Sequence, residues 1–144
     1  MRRRRRGIGR GVVFDVAAGA DVVVEDGAVI GAGTRFHVRA GVVRIAAGAV
    51  LGERCVVLAH AGVEVGAHAI LGDDVVLVDF QHRFDDPERP VREQPLDAAP
   101  ITIGERAHIG HRAVIERGVS IAAGARVPAQ TVVRYPGGVT TLEA

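Results

Sequence analysis

Few side chains in this 144-residue sequence could do covalent or acid–base chemistry, and the missing types narrow the field at once. All 18 basic residues are arginine, so no lysine is present for a phosphate-binding loop, a Schiff base or pyridoxal chemistry. Ser120 is the only serine and stands in no Gly-x-Ser-x-Gly setting, which argues against a serine hydrolase. Cys55 is the only cysteine, so neither a disulfide framework nor a cysteine-rich zinc site can form. No asparagine is available as a glycosylation acceptor. That leaves six histidines, at 37, 60, 68, 82, 108 and 111. Imidazole titrates near neutral pH, which suits a general base, and it is also a common metal ligand.

One of these histidines lies in an unusual segment. From Asp79 to Pro100 the chain reads Asp-Phe-Gln-His-Arg-Phe-Asp-Asp-Pro and continues to Arg89-Pro90-Val91-Arg92-Glu93-Gln94-Pro95, with four of the six prolines inside it. Proline cannot donate to a strand ladder, so the segment is an excursion from whatever regular structure flanks it. A long loop on a rigid scaffold is usually functional or disordered, and the prolines with Phe80, Phe84 and Leu96 favour order. His82 at its start is a candidate base or a packed loop histidine. Asp79 is a candidate partner for the imidazole or a turn residue at the loop entrance.

The flanking structure is set by a period of six. Ile103, Ile109, Ile115, Ile121 and Val127 each open a hexad whose fifth residue is Ala, Val or Thr. The phase returns at Val24, Ile30 and Phe36, then after a three-residue slip at Ile45, Leu51 and Val57, then after a two-residue slip at Val65, Leu71 and Leu77. All 14 hexads open with an apolar residue, and 13 carry Ala, Val, Thr or Cys fifth, so the pattern is not accidental. Neither a helix (period 3.6) nor a simple strand (period 2) produces it, whereas a coil of three short strands and three corners does. The first residue of each hexad points inward, and the fifth is small where the interior narrows. The frequent glycine in second place (Gly31, Gly52, Gly66, Gly72, Gly104, Gly110) is expected to serve a tight bend. The expectation is an all-β parallel solenoid of five coils, 24–41, 45–62, 65–82, 103–120 and 121–138, about 24 Å tall at ~4.8 Å per coil. Residues 1–23 are read as a basic tail and lead-in, 24–138 as the β-helix with loop 80–100, and 139–144 as a tail.

These hexads, with Asp-x-x-His-x-Phe-Asp-Asp-Pro, Arg-Pro-Val-Arg-x-Gln and Pro-Ile-x-Ile-Gly, resemble the left-handed β-helix hexapeptide-repeat acyltransferases of the maltose, galactoside and polysaccharide O-acetyltransferase type. The resemblance covers roughly residues 24–133 and implies the left hand, a homotrimer and active sites between neighbouring prisms. It implies acetyl transfer from acetyl-CoA to a hydroxyl of a sugar or glycan, with His82 as base, Asp79 beside it, Phe84 and Gln94 on the acceptor side, and no metal. It also implies that acetyl-CoA lies along the later coils, which assigns His108, Gly110, Ala113, Ala129, Thr131 and Arg134 to the coenzyme. Two departures stand out there. His108-Ile109-Gly110 replaces the usual Trp-Ile-Gly, and Pro128-Ala129-Gln130-Thr131 replaces Gly-Ala-Gly-Ser. The family's usual C-terminal segment is not recognisable in Tyr135 to Ala144.

Two other readings share the prism: a non-catalytic trimeric scaffold, and a zinc protein like gamma-class carbonic anhydrase. The latter needs three converging histidines. His108 and His111 fall in the sixth and third places of their hexads, and His60 and His68 lie in separate rows, which disfavours it. Aromatics are 3% of the chain with no Trp, against a stacking platform for single-stranded nucleic acid. Arg2–Arg6 supply five of the positive charges, leaving 13 arginines against 17 acids in the rest. Such a run allows weak contact with an anionic membrane surface. No apolar signal segment follows the arginines and no run approaches the ~18 residues of a membrane span, so the expected location is the cytoplasm.

Overall fold

The computed structural model describes residues 7–83 and 85–134, together with the backbone of 138–140. Phe84 and Arg2–Arg6 lie outside the described residues. The strands follow the period of six. After β1 (Val13–Val16), the coils are β2 (Asp21–Val24), β3 (Val29–Ile30) and β4 (Arg35–Val38); β5 (Val42–Ile45), β6 (Val50–Leu51) and β7 (Val56–Ala59); and β8 (Gly62–Val65), β9 (Ile70–Leu71) and β10 (Val76–Val78). A hairpin of β11 (Phe80–His82) and β12 (Leu96–Ala98) follows. The last two coils are β13 (Ile101–Ile103), β14 (His108–Ile109) and β15 (Val114–Glu116), then β16 (Ser120–Ile121), β17 (Arg126–Val127) and β18 (Val132–Arg134). β19 (Gly138–Thr140) pairs antiparallel with β18. Among the described residues no helix is long and apolar enough to cross a membrane.

Stacking these coils makes three parallel sheets, one per face. The first face runs β2, β5, β8, β13, β16; the second β3, β6, β9, β14, β17; the third β1, β4, β7, β10, β15, β18. Register places hexad openers over one another. Val24, Ile45, Val65, Ile103 and Ile121 form one column. Ile30, Leu51, Leu71, Ile109 and Val127 form a second. Phe36, Val57, Leu77, Ile115 and Val133 form the third. Nearly all are buried and together fill the core, as the alternation of the pattern requires.

The solenoid begins before the expected residue 24. Ile8 bridges Ile30, and β1 pairs with β4 so that Phe14 lies under Phe36, their rings stacked at 5.0 Å. Ile8 and Phe14 are six apart, a signal hidden by the glycines and arginines around them. At the other end, strand continues through Gly138–Thr140, past the expected boundary at 138.

The second-place glycines have a different cause from the expected bend. The left-handed residue at the corners is the fourth: Gly27, Gly33, Gly48 and Gly124 have positive φ, and so do Arg54, His68, Asp74, Arg106, Arg112 and Gln130, at φ of 56–61°. The second-place glycines instead lie against the next coil. A Cβ on Gly66 would come within 2.6 Å of Glu105 N, and one on Gly72 within 2.8 Å of His111 N. Close backbone stacking, not backbone conformation, requires glycine there.

The small fifth residue is interior at two corners, where Ala28, Thr34, Ala49, Cys55, Ala69, Val75, Ala107 and Ala113 are buried and only Ala125 is half-buried. At the third corner it varies, with Val119 buried, Ala61 half-buried, and Ala40 and Gln81 exposed. The third corner, between the third face and the first, also absorbs every slip in the repeat and emits the hairpin. Across that long excursion the columns stay in register, with Leu77 on Ile115 and Val65 on Ile103.

Candidate active site

His82 ends β11, the outgoing strand of the hairpin, paired with Leu96 of β12. Antiparallel pairing alternates the side chains, so Phe80 and His82 share one face of the hairpin and Gln81 and Asp97 share the other. The Phe80 ring meets His60 edge-on at 4.2 Å and His82 edge-on at 6.3 Å. Three rings therefore run from the second coil's corner to the hairpin. His82 is half-buried, and its Nδ1 is buried without a hydrogen-bond partner. Strand pairing and Phe80 hold the imidazole in place, and among the described residues none hydrogen-bonds either nitrogen.

Of the two roles open to it, Asp79 takes the one at the loop entrance. It is fully buried and accepts the backbone N–H groups of His60 (2.7 Å), Ala61 (2.8 Å) and Gly62 (2.6 Å). Its carboxylate satisfies the corner of the coil below and does not hydrogen-bond His82. Its backbone carbonyl accepts Ala99 N–H, closing the hairpin base. One residue thus anchors the excursion at both sides, a stronger form of the turn role that Asp often plays at a loop entrance.

Gln94 likewise supports the loop from within. It is buried, donates through Nε2 to Asp86 O and Arg89 O, both at 2.9 Å, and accepts Asp86 N–H at 3.3 Å. Those bonds use both amide hydrogens and one of the two oxygen lone pairs, and the side chain is turned into the loop rather than outward. A single 3-10 turn at Val91–Glu93 and the Arg83–Asp97 ion pair at 3.1 Å complete the loop. Sequence spacing marked Asp79 and Gln94 as special but could not show that their partners were backbone groups.

The expected coenzyme residues divide. His108, Gly110 and Ala129 come together with Arg126, Val127 and Pro128 around a cleft of about 280 Å³ on the second face and its following corner. Ala113 and Thr131 are fully buried and point into the core, so their side chains cannot line that cleft. Arg134 lies on the third face and pairs with Glu116 at 3.3 Å. The remaining histidines are dispersed. His37 Nδ1 bonds Asp15 at 3.2 Å, and His111 Nδ1 accepts Asp73 N–H at 2.8 Å. No three potential metal ligands converge among the described residues.

No family model matches this chain. It is 30% identical over 135 residues to a probable acetyltransferase of Mycobacterium tuberculosis, a match covering 88% of this chain and 45% of that protein. The chain therefore spans just under half the length of that curated relative. Among solved structures, the N-acyltransferase AntD of Bacillus cereus, in complex with dTDP-4-amino-4,6-dideoxyglucose and coenzyme A, superposes with a TM-score of 0.59 at 15% identity, over 88% of this chain and 72% of that one. A hexapeptide-repeat acetyltransferase of Vibrio cholerae, complexed with acetyl-CoA, superposes at 0.54 with 23% identity, over 82% and 73%. The polySia-specific acetyltransferase NeuO superposes at 0.51 with 15% identity, over 96% and 81%. The fold is a hexapeptide-repeat parallel β-helix.

Proposed function

We propose that this chain is an acyl-CoA-dependent O-acyltransferase that moves acetyl from acetyl-CoA to a hydroxyl of a sugar or glycan, with His82 as general base. The observation that carries the reading is His82 itself, a half-buried imidazole on a strand of the hairpin with no hydrogen bond from any described residue to occupy it. An alcohol is a weak nucleophile until its proton is removed. His82 takes that proton as the acceptor oxygen attacks the thioester carbonyl. The C–S bond then breaks, and the imidazolium returns the proton to the departing thiolate. No acyl-enzyme is needed, in keeping with a buried Cys55 and an outlying Ser120.

The cleft at His108, Gly110 and Ala129 is proposed to take the coenzyme, whose pantetheine amides can pair with corner backbone groups. That cleft and the hairpin are separated by a full face of the prism, because the hairpin leaves the corner opposite the second face. His82 of one copy therefore serves the coenzyme of a neighbour, and a closed ring of three is the proposed assembly. The proposed location is the cytoplasm, where acetyl-CoA is available.

Native mass spectrometry with and without acetyl-CoA tests assembly and coenzyme uptake together. Thiol release in a screen of neutral, acidic and amino sugars tests the chemistry. His82→Ala is expected to lower kcat at least ~10²-fold with little change in coenzyme affinity. Equal turnover in that variant overturns the assignment. Transfer confined to amino sugars overturns the hydroxyl acceptor, and a trimer that ignores acetyl-CoA is a scaffold.

A further inference from the structure

The proposed base lacks the contact that usually aims one. An imidazole is commonly turned and fixed in one tautomer by a hydrogen bond from its second nitrogen to a carboxylate or a carbonyl. His82 Nδ1 is buried with no partner among the described residues, and the carboxylate of Asp79 is committed to three backbone N–H groups. The torsion that turns a histidine ring is broad, so an imidazole held by nothing would swing. A misplacement of about 1 Å can cost roughly 10²-fold in rate, so whatever aims this ring matters.

Ring contacts take over that task. The chain has four Phe, one Tyr and no Trp. Beyond the Phe14–Phe36 stack, both ring contacts among the described residues fall on Phe80. Phe80 meets His82, two residues further along β11, at an interplanar angle of 82°. It meets His60 at 67°, with ring centres only 4.2 Å apart. Aromatic pairs ordinarily sit ~4.5–7 Å apart, so the His60–Phe80 contact is a close one. His60 belongs to the prism itself, at the corner between β7 and β8, and Asp79 holds its backbone N–H at 2.7 Å. The hairpin's ring pair therefore rests on a fixed point of the second coil.

We propose that His60 is a positioning residue for the base: its ring backs Phe80, and Phe80 in turn fixes the direction of the His82 imidazole. The part played in turnover rests on the acyltransferase reading, whereas the coupling of the three rings does not. This work needs a flat ring at residue 60 and no titratable nitrogen. A second imidazole acting as acid, base or acceptor ligand would need its nitrogens, and that difference separates the two roles.

Asp79 grips residue 60 through the backbone, which any residue but proline supplies, so His60→Ala keeps the corner clamp. This variant is expected to lower kcat about 10-fold while KM for acetyl-CoA and the urea midpoint stay unchanged. His60→Phe, which keeps a ring, should stay within about 2-fold of the parent. Phe80→Leu should lower kcat likewise, and adding His60→Ala to it should cost nothing more, because both act through one contact. NMR of the His82 ring protons reads the coupling without turnover. Their signals should move in Phe80→Leu and His60→Ala and return toward the parent positions in His60→Phe. If His60→Ala folds poorly, His60→Leu, which has bulk but no ring, takes its place. Full kcat in His60→Ala overturns the proposal. So does an equal loss in His60→Phe, which assigns chemistry to the His60 nitrogens. A kcat loss with unmoved His82 signals, or one matched by a lowered urea midpoint, overturns it as well. His82 signals that follow residue 60 in a chain that transfers no acetyl group keep the coupling and sink the acyltransferase reading instead.

Discussion

Asp79→Asn should be among the most damaging isosteric changes in this molecule. The carboxylate accepts three backbone N–H groups, one on Oδ1 and two on Oδ2. An asparagine can turn its oxygen to keep the bonds from Ala61 and Gly62, but its NH₂ then faces the N–H of His60, donor against donor. One hydrogen bond to a charged group is lost outright, worth about 1.5–3 kcal/mol, and the other two lose the charge, so the expected destabilisation is about 2–4 kcal/mol. That is a large fraction of the roughly 5–15 kcal/mol by which a typical domain is stable. Urea unfolding measures the loss, and amide exchange at His60, Ala61 and Gly62 should accelerate in step. A loss below about 1 kcal/mol, with exchange at those amides unchanged, would refute the account of Asp79 as the clamp of the corner. If Asp79 instead orients the base, kcat falls while urea stability holds.

Further expectations concern the interior polar column and the surface carboxylates. Thr34 Oγ1 donates to Gly52 O of the next coil at 3.1 Å and accepts Cys55 N–H, so Thr34→Val should destabilise by about 1–3 kcal/mol in urea unfolding. Thr131 occupies the same corner in the last coil, and its buried hydroxyl has no partner. Thr131→Val should therefore stabilise by about 1 kcal/mol, and a loss there would show that the hydroxyl is satisfied. Hydrogen bonds from Arg39, then His37, hold the Asp15 carboxyl below its usual range. Since its folded value is depressed, its contribution is present above the unfolded value of ~3.9 and is lost as pH falls through the folded value. Arg39→Ala should move the Asp15 titration upward by NMR, toward the unfolded value.

The prism was legible because each hexad carries its own instructions, an apolar opener and a small fifth residue, and each coil needs only its neighbours. The first coil was not, since Ile8 and Phe14 are followed by a four-residue slip before Val24. The second-place glycines were counted correctly but explained wrongly. Their need appears only when the next coil lies on top, and that coil comes much later in the chain, at Glu105 for Gly66 and at His111 for Gly72. His82 was marked by the break in the repeat, yet the face it occupies depends on hairpin register. The partners of Asp79 and Gln94 were hidden for a related reason: a polar side chain advertises hydrogen bonding, not whether its partner is a ligand or backbone. His60 gave no signal of its own, because it stands inside a regular hexad and its setting comes from Phe80 on the hairpin.

That one corner takes up every irregularity has an evolutionary consequence. The two other corners are metered by a left-handed fourth residue and a buried fifth, so adding or removing residues there would throw all later columns out of phase. The remaining corner works as a splice point. The chain leaves after Val78 and re-enters at Ile101, and the columns resume as though nothing had intervened. Recognition segments of different length and chemistry can be exchanged at that position without redesigning the core, and substrate preference can diverge while the scaffold stays fixed.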